Sequence, residues 1–256
     1  MINQTILITG ASSGIGAACA RLFAHSGARL ILLARREGRL MDLVDELVES
    51  GIEPSKLHIV TVDVSDRHEL ELALATLPKD WKEIDILINN AGLSRGLNKL
   101  HEGQISDWEE MIDTNVKGLL YVTRAIVPGM VARGSGHIIN LGSIAGHQTY
   151  PMGNVYCATK AAVRSLSEGL KIDLLGTPIR VTSVDPGLVD TEFSTVRFHG
   201  DTTRAAKVYE GLIPLTPADI AETILFCLTR PPHVNISEIL LVPTAQATPT
   251  LVSREK

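Results

Sequence analysis

The stretch Thr5-Ile6-Leu7-Ile8-Thr9 runs directly into Gly10-Ala11-Ser12-Ser13-Gly14-Ile15-Gly16. The first part is short, apolar and β-branched, the pattern of a strand buried on both faces. Three glycines at G-x-x-x-G-x-G spacing then turn the chain into a helix. Gly10 permits the tight turn off the strand, Gly14 lets backbone approach a pyrophosphate, and Gly16 lets the helix close on the sheet. The helix start offers unpaired N–H groups and a partial positive charge to phosphates. Gly10, Ser12, Ser13, Gly14, Ile15 and Gly16 are therefore the candidate phosphate cradle. A glycine triplet alone says little, but between a buried strand and a helix it points to dinucleotide binding.

The remaining chain repeats that unit. Strands are expected at Arg29–Leu33, His58–Val62, Ile84–Ile88, His137–Leu141, Arg180–Val184 and Ile239–Val242. Between them helical periodicity covers Ala17–Ser26, Arg39–Glu49, Glu69–Leu77, Trp108–Met130, Tyr156–Leu175 and Ile220–Leu228. Ser106-x-x-Glu109 has the form of a capping box, and Thr216-Pro217 that of an N-cap with a first-turn proline. The alternation predicts an α/β fold of the Rossmann type: a doubly wound parallel sheet of about seven strands with helices on both faces. No composition break divides residues 1–256, so one dinucleotide-binding and catalytic domain is expected. The long segment Gly187–Thr216, with an irregular run Asp190–Asp201, has the size of a lid or binding loop.

Composition excludes other classes. A formal net charge of −5 with no basic stripe argues against nucleic acid. The three cysteines, Cys19, Cys157 and Cys227, lack C-x-x-C pairing and read as reduced, mostly buried thiols. No histidine spacing suggests a metal, and no metal is expected. Without a signal-like N-terminus or a long apolar run, the expectation is a cytoplasmic protein with no membrane partner.

After the second strand comes Arg35-Arg36, where an NAD site would carry an acid for the ribose 2′-hydroxyl. Guanidinium groups match a 2′-phosphate in charge and geometry, so NADP(H) is the expected cofactor. The alternative is a pair of surface arginines at a strand end. Asp63-Val64 ends the third strand, within reach of an adenine. In Asn89-Asn90-Ala91-Gly92, small residues let a ribose sit close, and Asn90 joins the cofactor set.

Tyr156 and Lys160 are four residues apart and share one helix face. A fixed cation favours the phenolate and pulls a tyrosine pKa toward neutrality, suiting it to proton transfer during hydride transfer. Ser143, just past the fifth strand, lies at the carboxyl edge of the sheet and can donate to a substrate carbonyl.

With these residues in place the chain resembles the short-chain dehydrogenase/reductases along essentially its whole length. The motifs are Thr9–Gly16, Asn89-Asn90-Ala91-Gly92, Asn115, Ser143, Tyr156-x-x-x-Lys160 and Pro186-Gly187, in family order. The resemblance implies a tetrad of Asn115, Ser143, Tyr156 and Lys160. Tyr156 is its acid in reduction and its base in oxidation. Lys160 holds nicotinamide-ribose hydroxyls, and Asn115 holds a water linking Lys160 to solvent. Pro186, Val189 and Thr191 border the nicotinamide. Homotetramers or dimers built on the helices after Ser106 and Tyr156 are also implied.

The segments Asp190–Phe198, Leu215–Glu222, Asn235–Glu238 and Val242–Gln246 resemble one branch, the NADP-dependent 3-hydroxy acid dehydrogenases, including serine 3-dehydrogenases. The branch implies L-serine, allo-threonine or similar 3-hydroxy acids, or the matching 3-oxo acids and semialdehydes, as substrates. Two other readings are a broad carbonyl or 3-oxoacyl reductase and a non-catalytic NADP-sensing module. Arg197 is the candidate carboxylate partner alongside Ser143 and Tyr156. It has two competitors: Arg95 as the binder, and a loop-pinning role for Arg197 itself through Glu192 or Asp201.

Overall fold

The computed structural model describes residues 3–255. Seven strands form one parallel sheet: β1 (Thr5–Thr9), β2 (Arg29–Ala34), β3 (Leu57–Thr61), β4 (Ile86–Asn89), β5 (His137–Leu141), β6 (Arg180–Pro186) and β7 (Glu238–Leu241), in the order β3-β2-β1-β4-β5-β6-β7. The order reverses between β1 and β4, so a crevice opens at their carboxyl ends, where ligands bind in such sheets.

Alternation along the strands builds two cores. Ile6, Ile8, Leu30 and Leu32 face α1 (Gly14–His25), α2 (Glu37–Glu49) and, near the chain's end, the helix Pro217–Leu228. Leu7, Ile31 and Leu33 face the other way, toward α3 (Arg67–Ala75) and the helices between β4 and β6. Each fully buried Leu or Ile contributes roughly 1.5–3 kcal/mol. These strands read as continuous apolar runs because both faces are covered.

The expected helix Trp108–Met130 is α4 (Ile105–Ile112), a π-helical turn Asp113–Gly118, and α5 (Leu119–Arg133). The wide turn carries Asn115, and a Cβ at Gly118 would come 2.7 Å from Val64 Cγ2, so the helix passes that side chain only with glycine there. Ser106 does not cap α4. The Trp108 N–H already bonds Gln104 O at 3.3 Å, so the chain is helical before it reaches Ser106. After α6 (Asn154–Asp173), the run Asp190–Asp201 is not irregular throughout. It holds α7 (Phe193–Arg197), and α8 (Thr202–Ala206) follows, capped by Asp201 accepting from the Arg204 N–H. Neither helix is long enough to display a periodicity. The expected cap of α9 (Pro217–Leu228) forms as a reciprocal Thr216–Asp219 box.

Exposed Ile105, Ile112, Leu120 and Ile172 lie on the helices that the resemblance assigns to subunit contacts. All three cysteines are free and buried. Among the described residues no helix is long and apolar enough to cross a membrane.

His137 is buried between β5 and β6, with Nε2 at 2.9 Å from Thr182 Oγ1 and Nδ1 without a partner among the described residues. Burial, with help from Arg180 and Lys171, lowers its pKa from 6.5 to about 3. The folded form therefore binds this proton less readily than the unfolded chain. The stability from a neutral His137 is present above pH 6.5 and is lost as pH falls toward 3. Urea midpoints should drop across that window, and His137→Gln should flatten the drop. An unchanged slope in the variant would assign the acid sensitivity to other groups.

Candidate active site

The crevice opens into a cavity of about 670 Å³ lined from the glycine turn to the Tyr156 region. At its floor Gly10 and Gly14 have φ of +67° and +52°, which only glycine adopts without strain. A Cβ at Gly16 would collide with the Gly10 carbonyl oxygen. Asn90 Nδ2 donates to Thr9 O at 2.8 Å and to Gly10 O at 3.2 Å, fixing the turn from β4. These glycines make a backbone cradle fitted to a pyrophosphate at the start of α1.

The adenosine end of the cavity is cationic. Arg35 donates to Asp63 at 3.2 Å and Arg36 donates to Ser13 Oγ at 2.7 Å, and both arginines line the cavity. Arg39, read from the sequence only as the start of a helix, shares a carboxylate with Arg36. Both contact Glu192, at 3.0 Å from Arg36 and 3.3 Å from Arg39. Asp63 also accepts from Ser65, and Val64 lines the same wall. The donor set fits a ribose 2′-phosphate.

At the other end Ser143, Tyr156 and Lys160 converge on the cavity, all buried. The short turn Ser143-Ile144-Ala145-Gly146 is set by Ala145 N–H donating to Ser143 Oγ at 3.1 Å. A Cβ on Gly142 would collide with the buried Asp185 carboxylate, which also lies 2.6 Å from His147 Nε2. Pro186, Val189 and Thr191 line the adjoining wall. Thr191 lies over the glycine turn, its Cγ2 3.3 Å from where a Gly14 Cβ would be.

Lys160 Nζ donates to Leu141 O at 2.7 Å and is 6.0 Å from the Tyr156 ring centroid. Burial lowers its pKa to about 8, opposed by Asp185. The expectation that Lys160 pulls the Tyr156 pKa down does not hold in this geometry. Burial, then Tyr150, pushes the phenol well above its ordinary value, and the groups pulling it down are Arg197 and Ser143. The Asn115 side chain is held by bonds to Leu93 and Thr159. Its Oδ1 accepts from Leu93 N–H at 2.8 Å, while Nδ2 donates to Leu93 O at 2.8 Å and Thr159 Oγ1 at 3.0 Å. The side chain thus ties the β4 end to α6 one residue before Lys160.

Arg197 enters from α7. Its Nε donates to Ser94 Oγ at 3.0 Å and its Nη2 to Tyr150 OH at 2.9 Å. Its guanidinium carbon lies 5.3 Å from the Tyr156 ring centroid and 5.0 Å from that of Phe193. Glu192 and Asp201, its expected pinning partners, are engaged elsewhere. Arg95 is bound bidentately by Glu110 at 2.6 and 2.9 Å and donates to Val196 O. Sequence reasoning did not find Tyr150, Ser94 or the wall built by Gln246, Val252 and Arg254, since none carries a spacing signal.

A family model described as short chain dehydrogenase matches residues 4–201. The chain belongs to the short-chain dehydrogenase family. Within that family it is 49% identical over 243 residues to the NADP-dependent 3-hydroxy acid dehydrogenase YdfG of Escherichia coli K12, covering 94% of this chain and 96% of that protein. It is 46% identical over 255 residues to the NADP-dependent 3-hydroxy acid dehydrogenase of Schizosaccharomyces pombe, covering 99% and 98% of the two chains. Among solved short-chain dehydrogenases, the closed form of serine dehydrogenase complexed with NADP+ superposes with a TM-score of 0.92 at 47% identity, covering 99% of this chain and 100% of the other. Serine dehydrogenase from Escherichia coli superposes at 0.83 with 44% identity, covering 95% and 100%.

Proposed function

We propose that this chain is an NADP-dependent dehydrogenase that interconverts a small 3-hydroxy acid, such as L-serine or allo-threonine, with its 3-oxo or semialdehyde counterpart. The observation that carries the substrate class is Arg197: it makes no ion pair among the described residues and lies beside Tyr156 in the cavity. A guanidinium there can bind a carboxylate with two parallel hydrogen bonds. The neighbouring Arg95 is already neutralised by Glu110. The relatives above, NADP-dependent 3-hydroxy acid dehydrogenases and serine dehydrogenases, support the same cofactor and substrate class.

When bound, the nicotinamide supplies the hydride acceptor or donor. The Gly10–Gly16 turn, Asn90 and Thr191 would hold its phosphates and ribose, with Arg35, Arg36 and Arg39 at the 2′-phosphate. In oxidation Tyr156 takes the proton of the substrate hydroxyl as the carbon loses hydride and passes its own phenolic proton toward Lys160, and in reduction the same transfers run in reverse. Ser143 donates to the same substrate oxygen and steadies its negative charge. Lys160, close to neutrality at about pH 8, is set to pass a proton to or from Tyr156 through the ribose hydroxyls it would hold. Asn115 positions α6, and Arg197 fixes the carboxylate so that Cβ faces the nicotinamide. The test is a panel of 3-hydroxy acids and uncharged alcohols with NADP+ and NAD+. A marked preference for the acids supports this reading, and equal turnover of ketones or alcohols without a carboxylate selects a broad carbonyl reductase.

The cofactor assignment has its own test. Replacing Arg35 and Arg36 with glutamine should weaken NADP+ on the order of 10²-fold while leaving NAD+ nearly unchanged, because each charge-assisted bond to the 2′-phosphate is worth roughly 1.5–3 kcal/mol. Binding titrations of both cofactors check it, and equal weakening would remove the arginines from phosphate recognition.

A further inference from the structure

Glu192 lies at the start of α7, between Thr191 over the glycine turn and Phe193 against Tyr156. Its two oxygens are divided between Arg36 Nη1, at 3.0 Å, and Arg39 Nη2, at 3.3 Å. The same Arg36 reaches Ser13 Oγ through its other nitrogen, at 2.7 Å. One carboxylate on the substrate loop is thus bonded to two of the three guanidinium groups at the adenosine end, while Asp63 takes the third, Arg35.

Two features take this beyond ordinary loop pinning. First, the pairs are half exposed, at 46% and 56% for the arginines and 41% for Glu192. Pairs of that exposure are worth about 0–1 kcal/mol, so a stronger anion can displace one partner. Second, Arg36 lines the adenosine end of the cavity, where a 2′-phosphate would sit, and that dianion competes with one carboxylate for a guanidinium edge. The loop carrying Glu192 also carries Arg197, so the contact joins the two ends of the cavity.

Resting on the NADP reading above, we propose that Glu192 is a specificity-determining residue: its carboxylate competes with the 2′-phosphate of NADP(H) for Arg36 and Arg39. With NADP(H) the phosphate takes those guanidinium groups and Glu192 leaves them. With NAD(H) Glu192 stays on the arginines and holds the substrate loop to the glycine turn. Glu192 therefore costs affinity for the phosphorylated cofactor and supports loop closure over the unphosphorylated one.

Glu192→Gln keeps the shape and removes the charge. Its melting temperature and the dissociation constants of NADP+ and NAD+, measured by calorimetric titration without substrate, are compared with those of the wild type. NADP+ should bind about 3- to 10-fold more tightly, the effect of removing one charge near a dianion at a solvated surface, with NAD+ changed less than about 2-fold. In kinetics, KM for the hydroxy acid should be unchanged with NADP+ and should rise several-fold with NAD+. Equal shifts for the two cofactors, or weaker NADP+ binding, would overturn the competition. A wild type that does not prefer NADP+ would instead sink the NADP reading itself. A wild-type preference left untouched by Glu192→Gln would sink only the proposal for Glu192.

Discussion

Tyr156→Phe is expected to lower kcat by roughly 10²–10⁴-fold, the usual loss when a positioned general acid–base is removed. The ring should stay where it is, because its packing against Phe193, with centroids 5.4 Å apart, does not involve the hydroxyl. The phosphate cradle and the arginines lie at the far end of the cavity, so NADP+ should bind the variant almost as the wild type does. Stopped-flow hydride transfer together with a cofactor titration separates the two effects. Near-normal kcat would remove Tyr156 from proton transfer. Burial raises the Tyr156 pKa and lowers that of Lys160 to about 8, so a limb of the wild-type pH profile near 8 belongs to Lys160 rather than to the phenol.

The second large effect concerns Arg197→Met. If the guanidinium binds the substrate carboxylate, kcat/KM for a 3-hydroxy acid should fall by on the order of 2–5 kcal/mol, the cost of truncating one partner of a desolvated charge pair. An uncharged alcohol of similar shape should lose much less, since methionine keeps the apolar contacts to Phe193 and Tyr156. Equal losses for the two substrates would mean that Arg197 only holds α7 against Ser94 and Tyr150. The same comparison on Arg95→Met should show no charge selectivity, because Glu110 already occupies that guanidinium. Instead that change should loosen the loop through the lost bond to Val196 O and reduce both substrates alike.

Parts of this site were legible in the sequence for a physical reason. Gly10, Gly14 and Gly16 are demanded by backbone geometry, and Tyr156 and Lys160 by helical spacing, so local rules reach them. Strand positions were readable because both faces are buried. The arrangement around Arg197 was not, since Ser94, Tyr150 and Arg197 come from three distant segments and meet only through tertiary packing. Glu192 was noticed only as a possible partner for Arg197, its neighbour on the loop, whereas the fold turns it across the cavity to arginines more than 150 residues away in sequence. The direction of the Tyr156 pKa was misjudged because spacing reports the nearness of a cation but not how completely the ring is removed from water.

The π-helical turn Asp113–Gly118 bears on which changes the gene can absorb. It holds one residue more than an α-helix of the same rise, and that residue brings Asn115 to Leu93 and Thr159. Deleting one residue between 113 and 118 would let the helix run regularly through the segment with α4 and α5 still in phase, but without the widened turn that presents Asn115. Val122, Ile126 and Met130 would keep their face toward the sheet. A lineage could therefore lose this turn and keep its core, at the cost of the tie that Asn115 makes between Leu93 and Thr159. Single-residue deletions here would strike the site rather than the core.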